Sequence, residues 1–60
     1  MILDIFIFGA LRVILDAQTG TVQAVQSRIT GAAAQGEFSP DYISRAITAA
    51  RLAWASTADA

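Results

Sequence analysis

The side chains able to do chemistry are few and scattered. Five acids are present, Asp4, Asp16, Glu37, Asp41 and Asp59, with four arginines, Arg12, Arg28, Arg45 and Arg51. His, Cys and Lys are absent. The common general base, the thiol nucleophile and the Schiff-base amine are therefore missing. So are the soft ligands of a zinc site. The acids form no close pair in sequence, and each has a simpler role as helix-dipole complement, ion-pair partner or solvated loop residue. No GxGxxG or GxxxxGK[ST] occurs to cradle phosphate. The expectation is a chain that is not an enzyme, with no cofactor, no metal and no catalytic residue. Arg28, Arg45 and Arg51 could grip a carboxylate or phosphate of a partner, but exposed arginines more often stay solvated or pair locally.

What remains is recognition through apolar surface. The segment from Ile2 to Leu15, ILDIFIFGALRVIL, concentrates it. At 60 residues the chain is read as one small domain, residues 1–60, and hydrophobic types make up 55% of it. A lone domain of this size is marginal, and disulfides, a metal or a partner chain usually support it. With Cys and His absent, a homo-oligomer or a protein complex is expected. A formal charge of −1 lacks the footprint of a nucleic-acid binder, so no nucleic-acid partner is expected. The apolar run has no basic flank, and Asp4 and Arg12 interrupt it, so it does not read as a signal peptide. It is too short for a simple spanning helix. The expected location is cytoplasmic or membrane-associated.

On a helical wheel this segment is apolar nearly all round. Ile2, Phe6 and Val13 share one face, and Leu3, Ile7 and Ile14 the next. Such a helix must be buried on most sides. Glycines then recur at 9, 20 and 31, eleven residues apart. The blocks GALRVILDAQT and GTVQAVQSRIT match in type at Gly9/Gly20, Leu11/Val22, Arg12/Gln23, Ile14/Val25, Asp16/Ser27 and Thr19/Thr30. Eleven residues are close to three helical turns, which keeps equivalent positions on one stripe. Gly9, Gly20 and Gly31 then become close-packing positions between helices. Ile2 to Gln35 would form one rod of about 50 Å, or break near Thr19-Gly20-Thr21.

A β reading competes. Ile5-Phe6-Ile7-Phe8 is rich in strand formers. Leu11 to Asp16 and Thr21 to Val25 could pair across Ala17-Gln18-Thr19-Gly20 as a hairpin. The string VILDAQTGTVQAV resembles the strand–turn–strand of PepSY-type domains, whose hairpins often read VDAxTGxV. That likeness implies an α+β fold with an N-terminal hairpin. The spacing of Val22, Val25, Ile29 and Ala32 favours helix instead. The glycine- and threonine-punctuated eleven-mer also resembles, in pattern, the lipid-binding repeats of synuclein-like and perilipin-like proteins. Those carry lysines flanking the apolar face, and here there are none.

The sharpest local signal comes later. Phe38-Ser39-Pro40-Asp41-Tyr42-Ile43 reads as a helix start, with Ser39 as N-cap, Pro40 in the first helical position and Asp41 in the first turn. Phe38 and Ile43 have hydrophobic-staple spacing. A turn is predicted over 35–39 and a helix over 40–56, with a seam of Ile43, Ile47, Ala50 and Trp54. The sequence thus predicts an all-α helical hairpin, assembling into a bundle, with α+β as the alternative. The expected function is a non-enzymatic self-associating module or accessory subunit. Its interface residues are Ile5, Phe6, Phe8, Leu11, Ile14, Ile43, Ile47 and Trp54. A membrane-associated protein with an inserted or interfacial N-terminus is the second reading, and a regulator docking on another protein the third.

Overall fold

The computed structural model describes residues 2–58, and the fold is α+β rather than all-α. Three strands, β1 (Leu3–Phe8), β2 (Leu11–Asp16) and β3 (Val22–Ser27), form an antiparallel sheet in the order β1-β2-β3. A one-turn 3-10 helix at Ala34–Gly36 leads into a single α-helix, α1 (Pro40–Ala58). The predicted helical hairpin and helical bundle unit are thereby corrected. The N-terminal half that was read as helix is a β-meander, and its glycine stripe is a series of turns.

The reason lies in backbone geometry. Gly9, Gly20 and Gly31 have φ of +54, +76 and +75°, which a right-handed helix does not contain. Gly9 and Ala10 join β1 to β2, and Phe8 lies opposite Leu11. With positive φ at Gly9 and none at Ala10, this connection fits the two-residue turn that takes glycine first.

The spacing of Gly20 and Gly31 reflects one loop built twice, after β2 and after β3, rather than helical turns. After β2, the Asp16 N–H donates to the Thr21 carbonyl at 2.8 Å and the Gly20 N–H to the Asp16 carbonyl at 2.8 Å. After β3, the Ser27 N–H donates to the Ala32 carbonyl and the Gly31 N–H to the Ser27 carbonyl, both at 2.9 Å. The side chain opening each loop caps it. Asp16 Oδ1 accepts the N–H groups of Gln18 and Thr19, and Ser27 Oγ those of Ile29 and Thr30. The equivalences Asp16/Ser27, Thr19/Thr30 and Gly20/Gly31 are therefore the same parts of one loop built twice. Beyond the second loop the chain begins to pair again, with Ala33 bridged to Gln26, before the 3-10 turn diverts it.

Helix α1 starts at Pro40. The Ser39 Oγ accepts the Tyr42 N–H at 3.2 Å, and Ile43 N–H donates to the Ser39 carbonyl at 3.1 Å. The helix lies on one face of the sheet. Leu11, Val13 and Leu15 of β2 are fully buried against Ala46 and Ala50. Large residues on the strand meet small ones on the helix, so the two layers pack closely. Phe6 and Phe8 flank this core on β1, and Val22 and Val25 on β3. A bulge keeps β3 in phase: Leu15 faces Val22 and Ile14 faces Ala24, which leaves Gln23 as the extra residue.

Two aromatic clamps fix the helix along β2. At its start, the Tyr42 hydroxyl accepts the Ala10 N–H at 3.2 Å, over the first turn. At its far end, the Trp54 Nε1 donates to the Ala17 carbonyl at 2.8 Å, over the second. The helix thus runs in the same direction as β2. Phe8 and Phe38 each pack on Tyr42 with ring centroids 5.6 Å apart.

Candidate interaction surface

The helix covers only one face of the sheet. The register identifies what stands on the other. Ile5 pairs with Ile14 and Ile14 with Ala24, giving a central apolar row across all three strands. One row toward the first turn is Ile7–Arg12–Gln26. The opposite row is Leu3–Asp16, continued by Thr21 through its backbone bond to Asp16. Leu3, Ile5 and Ile7 are 48, 61 and 48% exposed. Three large aliphatic side chains side by side on one strand, with Ile14 half-buried between them and Ala24, make a contiguous apolar patch. Scattered exposed aliphatics need no explanation, whereas a clustered patch is a candidate contact surface.

β1 also forms one margin of the sheet. The Ala17 N–H donates to the Ile2 carbonyl at 2.9 Å. Hydrogen-bonded pairs alternate along an antiparallel ladder. Asp4, Phe6 and Phe8 therefore turn their backbones toward β2, and Leu3, Ile5 and Ile7 turn theirs to the open edge. The same three residues carry the apolar side chains and the free backbone groups.

The residues expected to form an interface divide between the two faces. Ile5 and Ile14 stand on the outer face. Leu11 is fully buried in the chain's own core, and Phe6 and Phe8 pack against that core. Ile43 and Trp54 pack against it from the helix, while Ile47 is half-buried beside the β3 side of the sheet. The glycines sit in turns. Gly9 lies against the Tyr42 hydroxyl and Gly20 against the Trp54 ring, while nothing lies within 4 Å of the position a Gly31 β-carbon would take. Leu3, Ile7 and Ala24 of the outer face were missed. Read with a period of two from Leu3, the sequence places Leu3, Ile5 and Ile7 together, so the signal was present once the strand was assumed.

The charged groups are arranged locally. Asp41 and Arg45 pair at 3.3 Å on the helix surface, with side chains 79 and 72% exposed. Arg28 Nη1 donates to the Gly9 carbonyl at 2.9 Å, tying the second loop to the first turn. Glu37 Oε1 accepts the Thr30 hydroxyl at 3.0 Å. Among the described residues no group of three acids, His or Cys is placed to hold a metal. No described helix is long and apolar enough to cross a membrane. Asp59 lies outside the described residues.

The arrangement therefore defines a two-layer α+β unit in which, among the described residues, nothing covers one face of the sheet. No protein family, curated protein or solved structure matches this chain.

Proposed function

We propose that the protein is a small non-enzymatic module that works by association, through the outer face of its sheet. The observation that carries this reading is the row Leu3, Ile5 and Ile7, large aliphatics left 48, 61 and 48% exposed on one strand face. Covering the exposed part of each would contribute about 1 kcal/mol. That gain matters to a 60-residue domain, whose whole stability is on the order of 3–9 kcal/mol by the usual per-residue range. The opposite face is already occupied by α1, so the core does not compete for these side chains.

Sedimentation equilibrium over a wide concentration range tests the reading. The wild-type chain is expected to associate, and Ile5→Lys to be monomeric with an unchanged circular dichroism spectrum. Leu52→Lys, at a helix position 67% exposed, serves as the control and should associate normally. A wild-type chain monomeric throughout, and equally so in both variants, contradicts the reading. Sedimentation of such a monomer with phosphatidylcholine vesicles would assign the face to lipid instead.

A further inference from the structure

Resting on that self-associating reading, we infer that the occupant of the outer face is a second copy of this chain, stacked face to face about a two-fold axis along the Ile5–Ile14–Ala24 row. The inference comes from how the three rows of the face are arranged. Ile14 stands midway between Arg12 and Asp16 on β2, and Ile5 midway between Leu3 and Ile7 on β1. An axis along the central row, lying in the interface, exchanges the two outer rows of the opposing sheet. Ile5, Ile14 and Ala24 then meet their own counterparts. Ile7 meets Leu3 of the second copy, and Arg12 meets Asp16 of the second copy. Apolar positions fall on apolar ones and each charge falls on its opposite, twice over by symmetry.

The other simple stack keeps Ile14 on Ile14 but is worse in both outer rows. An axis running along the strands sets β1 over β3. Ile7 would face Gln26, Leu3 would face Thr21, Arg12 would face Arg12 and Asp16 would face Asp16. Like charges in register disfavour that arrangement. Among the described residues Arg12 has no ion-pair partner within its own chain. The Asp16 Oδ1 is engaged by its loop, and no hydrogen bond within the described residues uses Oδ2. Sheets stacked face to face lie about 10 Å apart, a gap that a long arginine and a short aspartate can bridge from opposite sides. The product is a four-layer α/β/β/α dimer with both helices on the outside.

Edge pairing of β1 with β1 is the competing dimer, and geometry separates the two. In the stack the helices are three layers apart, roughly 30 Å. In the edge-paired dimer with both helices on one face, they are separated by three strand spacings, roughly 14 Å. The chain has no Cys, so Thr48→Cys places one spin label on the exposed side of each helix. Double electron–electron resonance is expected to give a distance well beyond the larger value, because each label stands on the side of its helix that faces away from the interface. Arg12→Glu sets two like-charge contacts into the stack and is expected to raise the dimer Kd about tenfold or more, without changing the monomer's circular dichroism. A dimer with the short helix separation, or one indifferent to Arg12→Glu, overturns the stack and leaves self-association standing. A chain that stays monomeric overturns both.

Discussion

The indole ring of Trp54 lies directly on Gly20. A β-carbon at Gly20 would come within 2.7 Å of Cε3 and 2.9 Å of Cδ2 and Cζ3. The contact works together with the 2.8 Å hydrogen bond from Nε1 to the Ala17 carbonyl. One side chain thus holds the end of α1 on the loop between β2 and β3. Gly20 is needed for its φ of +76° and for the space above it.

Gly20→Ala and Gly31→Ala separate those two requirements. The loops are alike and the φ values are +76 and +75°. Gly31→Ala pays for the backbone conformation alone, about 1–2 kcal/mol. Gly20→Ala must also displace the Trp54 ring, so it is expected to cost at least about 1 kcal/mol more. Urea unfolding of both variants checks this. Trp54 fluorescence in the folded state should change in the first and not in the second.

The same logic applies at the other clamp. Tyr42→Phe removes the acceptor of the Ala10 N–H and is expected to cost about 1 kcal/mol. A β-carbon at Gly9 would collide with the Tyr42 hydroxyl, so Gly9→Ala should be more costly in the wild-type background than in Tyr42→Phe. A double-mutant cycle by chemical denaturation is expected to show coupling of more than about 0.5 kcal/mol. Strict additivity would mean that Tyr42 does not sit over the turn.

Burial decides what the loop caps are worth. Ser27 is 2% exposed and its Oγ accepts two backbone N–H groups. Ser27→Ala leaves both without that partner and is expected to cost about 1–2 kcal/mol. Thr30 also makes two hydrogen bonds, to Glu37 and from Ala32 N–H, but in the open. Water can replace them, so Thr30→Val should stay within about 0.5 kcal/mol of wild type. Thermal unfolding of the two variants should rank them in that order.

How much of this was legible in the sequence follows from particular residues. Ser39 and Pro40 mark the start of α1 because capping is local: the Ser39 Oγ reaches the Tyr42 N–H. The glycine period was visible too, yet periodicity alone does not say whether a repeat is built of helical turns or of strands and loops. The deciding fact is positive φ, which sequence does not display. β1 misled for a different reason. A strand with one wet face alternates between apolar and polar residues, whereas in LDIFIF both faces are apolar apart from Asp4. Its inner side feeds the core through Phe6 and Phe8, and its outer side forms the patch. The feature that makes β1 a candidate surface therefore also removed the signature of a strand. Leu11, Ile43 and Trp54 were grouped with Ile5 because hydrophobicity does not reveal on which side of a sheet a residue stands.

Association through the patch has a thermodynamic consequence. A partner that binds only the folded chain stabilises it by mass action. The apparent Tm of the wild type should rise with protein concentration, and that of Ile5→Lys should not. Differential scanning calorimetry at concentrations spanning two decades reads this directly. Equal slopes for the two proteins would place the contact elsewhere.

The most direct measurement of the central claim is an isotope-filtered methyl NOE experiment on a mixture of labelled and unlabelled chains. If a second copy covers the outer face, intermolecular cross-peaks connect the methyl groups of Ile5 and Ile14 with those of the other chain, and Ala24 joins them. Val13 and Leu15, on the helix side of the sheet, give none. Absence of intermolecular peaks at Ile5 and Ile14, with these methyls fully open to a soluble paramagnetic agent at millimolar protein, would contradict the account.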